Sequence, residues 1–475
     1  MTKPELTDMS PEEFREWGHR SIDWIADYLS GLDTRTVSPD VKPGSVRAQI
    51  PDTAPDAGEG MGQIFSDLEK VILPGITHWN SPNFFAYFSS SASGPGILGE
   101  LLMAAFNTNA MIWRTSPAAT ELEEAVLDWL RQMLGLSDEF TGVVYDTASV
   151  STFHAIAAAR AAISERDIIE DGMAGVDAPR LCIYTSMEAH SSVEKAGIAL
   201  GIGRKGVRKI GVDSRFRMNA TELDAAIERD KADGWRPFCV SATVGTTSTT
   251  SIDPVEEIAG VCSKHGLWLH VDGAYAGAAA ILPEKRNILA GCEHAQSFVM
   301  NPHKWMFTPV DFSALFCRRP DLLKRAFSLT PEYLQTQEGE SATNYMDYGI
   351  QLGRRFRSLK FWMVVRYFGV DGLRRRIREH IRLAQQFGEW VERDSRFLLI
   401  VPVDFGTVCF RLKGSNEANE QLLEGLNCRG PIYLSHTKLN GDVILRFSVG
   451  NIRTTESHVR SAWNLIQAAA SEIED

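Results

Sequence analysis

The 475-residue chain lacks positive charge: 61 Asp and Glu outnumber 49 Lys and Arg, for a formal net charge of −12. A groove that tracks phosphates needs a basic face, so the balance argues against nucleic acid as a partner. No apolar run approaches the ~20 residues of a membrane helix, so no membrane span is expected. The first residues, Met1-Thr-Lys-Pro-Glu-Leu-Thr-Asp, have no apolar core and do not read as a signal peptide. Cysteine is sparse. The seven residues are scattered, odd in number and without a Cys-x-x-Cys, and most sit in apolar runs such as Ala314-Leu-Phe-Cys317. They are expected to be reduced core residues of a cytoplasmic protein. The eleven histidines show no H-E-x-x-H or similar spacing, so no metal is expected. There is no internal repeat and no low-complexity tract.

What is present suffices for two or three domains with full cores: 44% of the residues are hydrophobic. Ser10-Pro11-Glu12-Glu13 has the form of a capping box. Phe14, Trp17, Ile22, Ile25 and Leu29 follow at roughly helical spacing, so an amphipathic helix is expected to about Gly31. A proline-punctuated connector covers 39–60, and helices are expected over 64–71, 95–106 and 120–134. From residue 140 apolar runs at 142–145, 181–184, 238–242, 267–271, 297–300 and 313–316 alternate with helical stretches. That pattern predicts an α/β fold with a mostly parallel central sheet covered on both faces. Helices over 352–368 and 373–395, strands near 398–403, 407–412 and 443–448, and a final helix from about 454 read as a smaller α+β domain. The expected division is a helical and extended N-terminal segment (1–92), a large α/β domain (93–365) and a small C-terminal domain (366–475). Part of 320–350 reads as a mobile loop.

One stretch organises the rest. Ser297-Phe-Val-Met-Asn-Pro-His-Lys304-Trp305 is a short buried strand, ended by Asn-Pro, with a lysine just beyond its carboxyl end. Ligands of open α/β sheets bind at that end. Alone, Lys304 reads as a surface lysine. Trp268-Leu-His-Val-Asp272 alters that reading, because it puts a carboxylate at a second strand end 32 residues earlier. A desolvated lysine forms a Schiff base readily. A lysine for the aldehyde and a carboxylate for the ring nitrogen are what pyridoxal phosphate needs.

Other motifs stay ambiguous when taken singly. Asp146-Thr-Ala148-Ser149 opens a helix and is either an anion site or an ordinary cap. His190, just past a strand end, either stacks on a flat ring or bonds to nearby backbone. The aromatic run from His78 to Phe88 is packing, a subunit interface or an aromatic pocket. Hydroxyls in Thr243-Val-Gly-Thr246-Thr247 lie at a strand end where they could face a cofactor. Gly201-Ile-Gly203-Arg-Lys-Gly206 matches G-x-G-x-x-G. A helical stretch precedes it and a strand-like stretch follows, the reverse of a dinucleotide site, so it reads as a turn.

Taken together, His270-Val-Asp272-Gly-Ala-Tyr-Ala-Gly277, Asn301-Pro-His-Lys304-Trp and Leu352-Gly-Arg-Arg-Phe-Arg-Ser-Leu-Lys360 resemble the aromatic-L-amino-acid decarboxylases that use pyridoxal phosphate. His78-Trp to Phe88, Ser116-Pro-Ala-Ala-Thr-Glu, Ala189-His-Ser-Ser-Val-Glu-Lys-Ala-Gly197 and Gly245-Thr-Thr-Ser248 resemble the same family. The resemblance runs from about residue 12 to Leu445-Arg-Phe-Ser. It implies fold type I, a homodimer with shared active sites, and conversion of an aromatic amino acid to its amine and CO2. By motif, Lys304 resembles the Schiff-base lysine and Asp272 the partner of the ring nitrogen, with Ala274 under the ring. His190 resembles the stacking residue that reaches the substrate carboxylate, and Thr246 would lie near the ring. Ala148, Ser149, Asn301 and His303 resemble the phosphate-binding set, and Tyr333 the loop tyrosine that protonates the product. Trp79, Ser90, Asn109, Met111 and Gly353 fall on substrate-side positions. Ser90, Asn109 and Met111 depart from the residues many members carry there. Gly353, where histidine-decarboxylating relatives have serine, favours tryptophan or dihydroxyphenylalanine over histidine. The rival on the same scaffold is an aromatic aldehyde synthase; such relatives replace the loop tyrosine or the stacking histidine, and both are present here. An aminotransferase would need an arginine for the substrate carboxylate, and Arg446, the tempting candidate, sits inside a strand pattern.

Overall fold

A computed structural model gives the fold, and it describes residues 8–88, 90–163, 167–175, 178–329 and 342–474. Tyr333, and the polar stretch around Glu338 expected to form a loop, lie outside them. The chain groups into two compact units. One comprises Met1–Tyr87, Gly414–Leu445 and Arg453–Asp475; the other comprises Phe88–Lys413 with Arg446–Ile452.

In the first unit, α1 (Pro11–Ser30) begins as the capping box requires, with Ser10 Oγ accepting the Glu13 N–H at 3.1 Å. Such a cap contributes about 1 kcal/mol. None of the residues of α1 is buried within the single chain, and Phe14 is 65% exposed. The connector carries one short 3-10 turn, Arg47–Gln49, before α2 (Met61–Asp67).

The second unit is built on a seven-stranded sheet. Its strands are β1 (Thr141–Tyr145), β2 (Arg180–Ser186), β3 (Val207–Ile210), β4 (Trp235–Thr243), β5 (Trp268–Asp272), β6 (Ser297–Met300) and β7 (Ser313–Cys317), in spatial order β1-β7-β6-β5-β4-β2-β3. The pairings from β3 to β6 are parallel, whereas β7 runs antiparallel to both β6 and β1. The carboxyl ends of β1, β2, β4, β5 and β6 therefore share one edge. Register aligns Thr243 with Asp272 and Asp272 with Val299 across three neighbouring strands. Strands covered on both faces should be apolar throughout, and every residue of β5, β6 and β7 is buried. Helices α3 (Gly94–Phe106), α4 (Pro117–Leu134) and α5 (Ala148–Ala161) precede or follow β1. The glycine-rich stretch forms the expected turn, a 3-10 helix over Arg204–Gly206 that leads into β3.

Two expectations need correction. The helix expected from 352 starts at Ser358 and runs to Arg393, with a break at Gly369, whose φ is +64°. Residues before Ser358 stay out of the helix because two arginines turn inward to acids, the buried Glu123 and the partly buried Asp311. Arg354 Nη2 reaches Glu123 Oε1 at 2.6 Å, and Arg357 Nε reaches Asp311 Oδ1 at 2.9 Å. The strand expected over 398–403 is only Phe397–Leu399, paired with Thr407–Leu412, and Pro402 cannot donate to a ladder. A helix at Asn416–Arg429 and a strand at Ser435–Leu439 were not singled out by the hydrophobic pattern. Among the described residues no helix is long and apolar enough to cross a membrane.

The Arg354–Glu123 pair also ties the later chain to β1, because Glu123 Oε1 accepts the Val144 N–H at 2.9 Å and Arg354 donates to the Val144 carbonyl at 2.8 Å. Both side chains are at most 5% exposed. Arg354→Met should therefore strand a buried carboxylate and lower stability by roughly 3 kcal/mol. The Glu123→Gln/Arg354→Met double variant should recover part of that loss, both changes being read by urea titration.

Candidate active site

The shared strand edge holds a cavity of about 200 Å³. Lys304 enters it from a single turn, Pro302–Trp305, directly after β6. Burial lowers its pKa; Asp272 opposes that shift and Arg446 adds to it. The Lys304 ammonium lies 5.0 Å from the centre of the Phe88 ring. Asp272, at the end of β5, is 7% exposed, and its Oδ1 accepts the Ala274 N–H at 3.0 Å. Among the described residues no lysine or arginine forms an ion pair with Asp272. A lysine and a carboxylate thus line one small cavity without touching. Burial makes that arrangement costly unless a ligand engages both.

His190 lines the same cavity. Its Nδ1 accepts the Ser192 N–H at 3.2 Å, so the neutral ring carries its proton on Nε2. Desolvation lowers its pKa, with Asp272 acting against the shift and Lys304 with it. Ala148 and Ser149, which line the cavity too, form the first turn of α5. Their backbone N–H groups make no hydrogen bond among the described residues, which leaves donors at a helix N-terminus facing the cavity.

His303 fixes a further donor. The Phe312 N–H donates to its Nδ1 at 2.9 Å, so Nε2 bears the proton. Burial, then the charges of Lys304 and Lys360, holds its pKa down to about 3, and the ring stays neutral. The Asn301 side-chain amide lies 3.2 Å from Nε2. An N–H there requires an acceptor, so Asn301 presents Oδ1 to His303 and is left with its NH₂ for the cavity.

Ala274 is buried at the cavity wall. Thr246 does not line it; its hydroxyl bonds Thr249 and the Ser251 N–H, while its neighbours Gly245 and Thr247 face the space. Ser90 bonds back to the Phe88 carbonyl. Asn109, Met111 and Gly353 form a separate patch. Asn109 Oδ1 accepts the Arg354 N–H at 2.9 Å, its Nδ2 lies 3.5 Å from Met111 Sδ, and a Cβ at Gly353 would meet only the Asn109 amide. Trp79 belongs to the other unit, where it stacks on Tyr87 at 5.5 Å.

Thr147 of the Asp146–Ser149 motif lines the cavity, and so do Phe88 and Tyr275, which lie outside the expected site residues. Phe88 stacks on Tyr275 at 3.9 Å, and Tyr275 on Trp305 at 4.8 Å. The signals were the aromatic run ending at Phe88 and the Tyr275 within the Asp272 motif. Arg446 lies 5.2 Å from the Phe88 ring centre and donates to the Ser248 carbonyl at 2.8 Å. Away from the site, Asp224, Glu228 and His265 approach one another, but Lys264 and Lys231 already bond the same groups.

Pyridoxal phosphate fits these residues on three counts. Unused donors at α5 and on Asn301 suit a phosphate, Asp272 lacks a cation, and Lys304 is held toward its neutral, nucleophilic form.

The family described as "Pyridoxal-dependent decarboxylase conserved domain" matches residues 43–413. The aromatic-L-amino-acid decarboxylase of Bos taurus is 43% identical, covering 98% of this chain and 97% of that protein. The phenylacetaldehyde synthase of Arabidopsis thaliana is 40% identical, covering 98% and 97%. The crystal structure of Oryza sativa TDC with PLP and tryptamine superposes with a TM-score of 0.95 at 37% identity, covering 99% of this chain and 100% of that one.

His303→Phe removes the group that orients Asn301. It should weaken pyridoxal phosphate binding by about tenfold or more, measured by fluorescence titration of the apoenzyme.

Proposed function

The chain belongs to the pyridoxal-dependent decarboxylase family, and from that premise we propose that it removes the carboxylate of an aromatic L-amino acid, tryptophan or a dihydroxyphenylalanine-like substrate, to give the amine and CO2. The observation that carries this reading is the unbridged pair, Lys304 and Asp272, at the ends of two adjacent parallel strands. Bound pyridoxal phosphate supplies a ring that takes up the electron pair left at Cα when CO2 departs. Lys304 is the amine that holds the cofactor through its aldehyde. Asp272 keeps a proton on the ring nitrogen, each pKa unit being worth ~1.4 kcal/mol between the two protonation states. Ala148, Ser149 and Asn301 take the phosphate.

His190, which lines the cavity, is proposed to orient the substrate carboxylate through its Nε2 proton. Tyr333 is proposed to return a proton to Cα, and the presence of Tyr333 and His190 together favours amine over aldehyde as the product. Phe88 supplies an aromatic wall beside Lys304.

The proposed assembly is a homodimer. Support comes from α1, with no buried residue, and from α3, whose Leu98, Leu101, Leu102 and Phe106 are all at least 42% exposed. Asn109, Met111 and Gly353 are then proposed to complete the ring pocket of the neighbouring subunit. Six buried cysteines with no disulfide are consistent with a reducing, cytoplasmic location.

Asp272→Asn should cut turnover far more than cofactor occupancy, and Lys304→Ala should abolish turnover. Equal loss of occupancy and rate in Asp272→Asn would reduce that residue to a binding role. Both are read from amine release beside the absorbance of bound cofactor.

A further inference from the structure

The segment carrying Gly353 is held in place by an unusual device. Tyr145 ends β1, and its hydroxyl donates to the Tyr348 carbonyl. Its ring stacks on His154 of α5 at 4.2 Å and 17°. His154 Nδ1 donates to the Val150 carbonyl one turn earlier at 2.7 Å. That bond fixes the tautomer and leaves Nε2 as an acceptor, where it receives the Ile350 N–H at 3.2 Å. Burial lowers the His154 pKa to about 4, so the acceptor persists at neutral pH. Phe327 packs against the imidazole at 4.6 Å.

Between the two bonds sits Gly349. A Cβ there would lie 2.7 Å from His154 Nε2 and 3.1 Å from the Tyr145 ring, so only glycine lets the main chain come this close. Four residues on, Gly353 and the Asn109–Arg354 bond form the patch described above. The same helix, α5, begins with Ala148 and Ser149 at the cofactor cavity. One strand–helix unit therefore serves both the phosphate donors and the segment that carries Gly353.

We infer that Tyr145 and His154 are positioning residues for substrate selection: by clamping the backbone at Tyr348 and Ile350 they set where Gly353 and Asn109 stand in the ring pocket. This rests on the proposed role of Gly353 and Asn109 in that pocket. Neither clamp residue lines the cavity, and neither takes part in bond making. Loss of the clamp should therefore blur the choice among aromatic rings more than it reduces cofactor binding.

The test uses full-length enzyme loaded with pyridoxal phosphate. His154→Phe keeps the stacked ring but removes the acceptor. Hydrogen exchange in peptides spanning 346–354 should accelerate by about fivefold or more, the scale of one lost hydrogen bond. The ratio of kcat/KM for tryptophan over phenylalanine should shift by a similar factor, with cofactor absorbance retained. His154→Gln, which can still accept from Ile350, should restore part of both. If His154→Phe does not fold, Gly349→Ala pushes the chain off the clamp and should give the same two changes. Unchanged exchange overturns the clamp. Faster exchange with an unchanged substrate ratio overturns its role in selection. A Gly353→Ser control that leaves the ratio unchanged overturns the pocket reading, and selection with it, while the exchange data still judge the clamp.

Discussion

The rest of the structure depends on one electrostatic constraint: a partly buried lysine and a buried carboxylate share a cavity of about 200 Å³ without forming an ion pair. Opposite charges withdrawn from water normally meet, because contact offsets part of the desolvation. Lys304 and Asp272 are kept apart by the sheet. Asp272 ends β5 and Lys304 sits in the turn after β6, and the register of the two strands fixes both. The neighbours then adjust the balance. Arg446 and burial favour the neutral lysine, whereas Asp272 opposes them. His303 is held neutral and spends its Nε2 proton on Asn301, which frees the amide of Asn301 for an anion. A phosphate-bearing, ring-nitrogen cofactor resolves all of these demands together.

A second consequence follows from connectivity. The helix N-terminus that supplies the anion donors belongs to α5, whose next turn carries His154. Strand β1, which delivers that helix, is tied to the later chain through Val144, Tyr145, Glu123 and Arg354. The cofactor end of the sheet and the Gly353 segment are thus parts of one bonded framework, on which the proposed link between the clamp residues and substrate choice rests.

Much of this was legible in the sequence, for physical reasons. Strands buried on both faces leave long apolar runs, so β1, β2 and β4 to β7 could be read directly. Lys304 and Asp272 stand out because a charged residue at or just past the end of a buried strand is chemically conspicuous. What escaped depends on partners remote in the chain. The run from Leu352 to Lys360 has helical periodicity, yet Arg354 and Arg357 find Glu123 and Asp311, and those ion pairs hold the first residues out of the helix. Phe88 and Tyr275 lie in recognisable motifs, but only the fold shows that Phe88 stands beside both Lys304 and Arg446. The bonds from Tyr145 and His154 run to main-chain atoms, which carry no signature of residue type. The helix Asn416–Arg429 is largely polar and gives too weak a periodic signal.

The most direct test of the account is a product balance. Purified enzyme saturated with pyridoxal phosphate would be given tryptophan, dihydroxyphenylalanine, tyrosine, phenylalanine, histidine and glutamate separately, with amine, aldehyde, ammonia and CO2 quantified in each. The account predicts equal amounts of amine and CO2 from an aromatic substrate, with tryptophan or dihydroxyphenylalanine ahead of histidine. Aldehyde and ammonia in place of amine, or no product from any aromatic substrate, would contradict it.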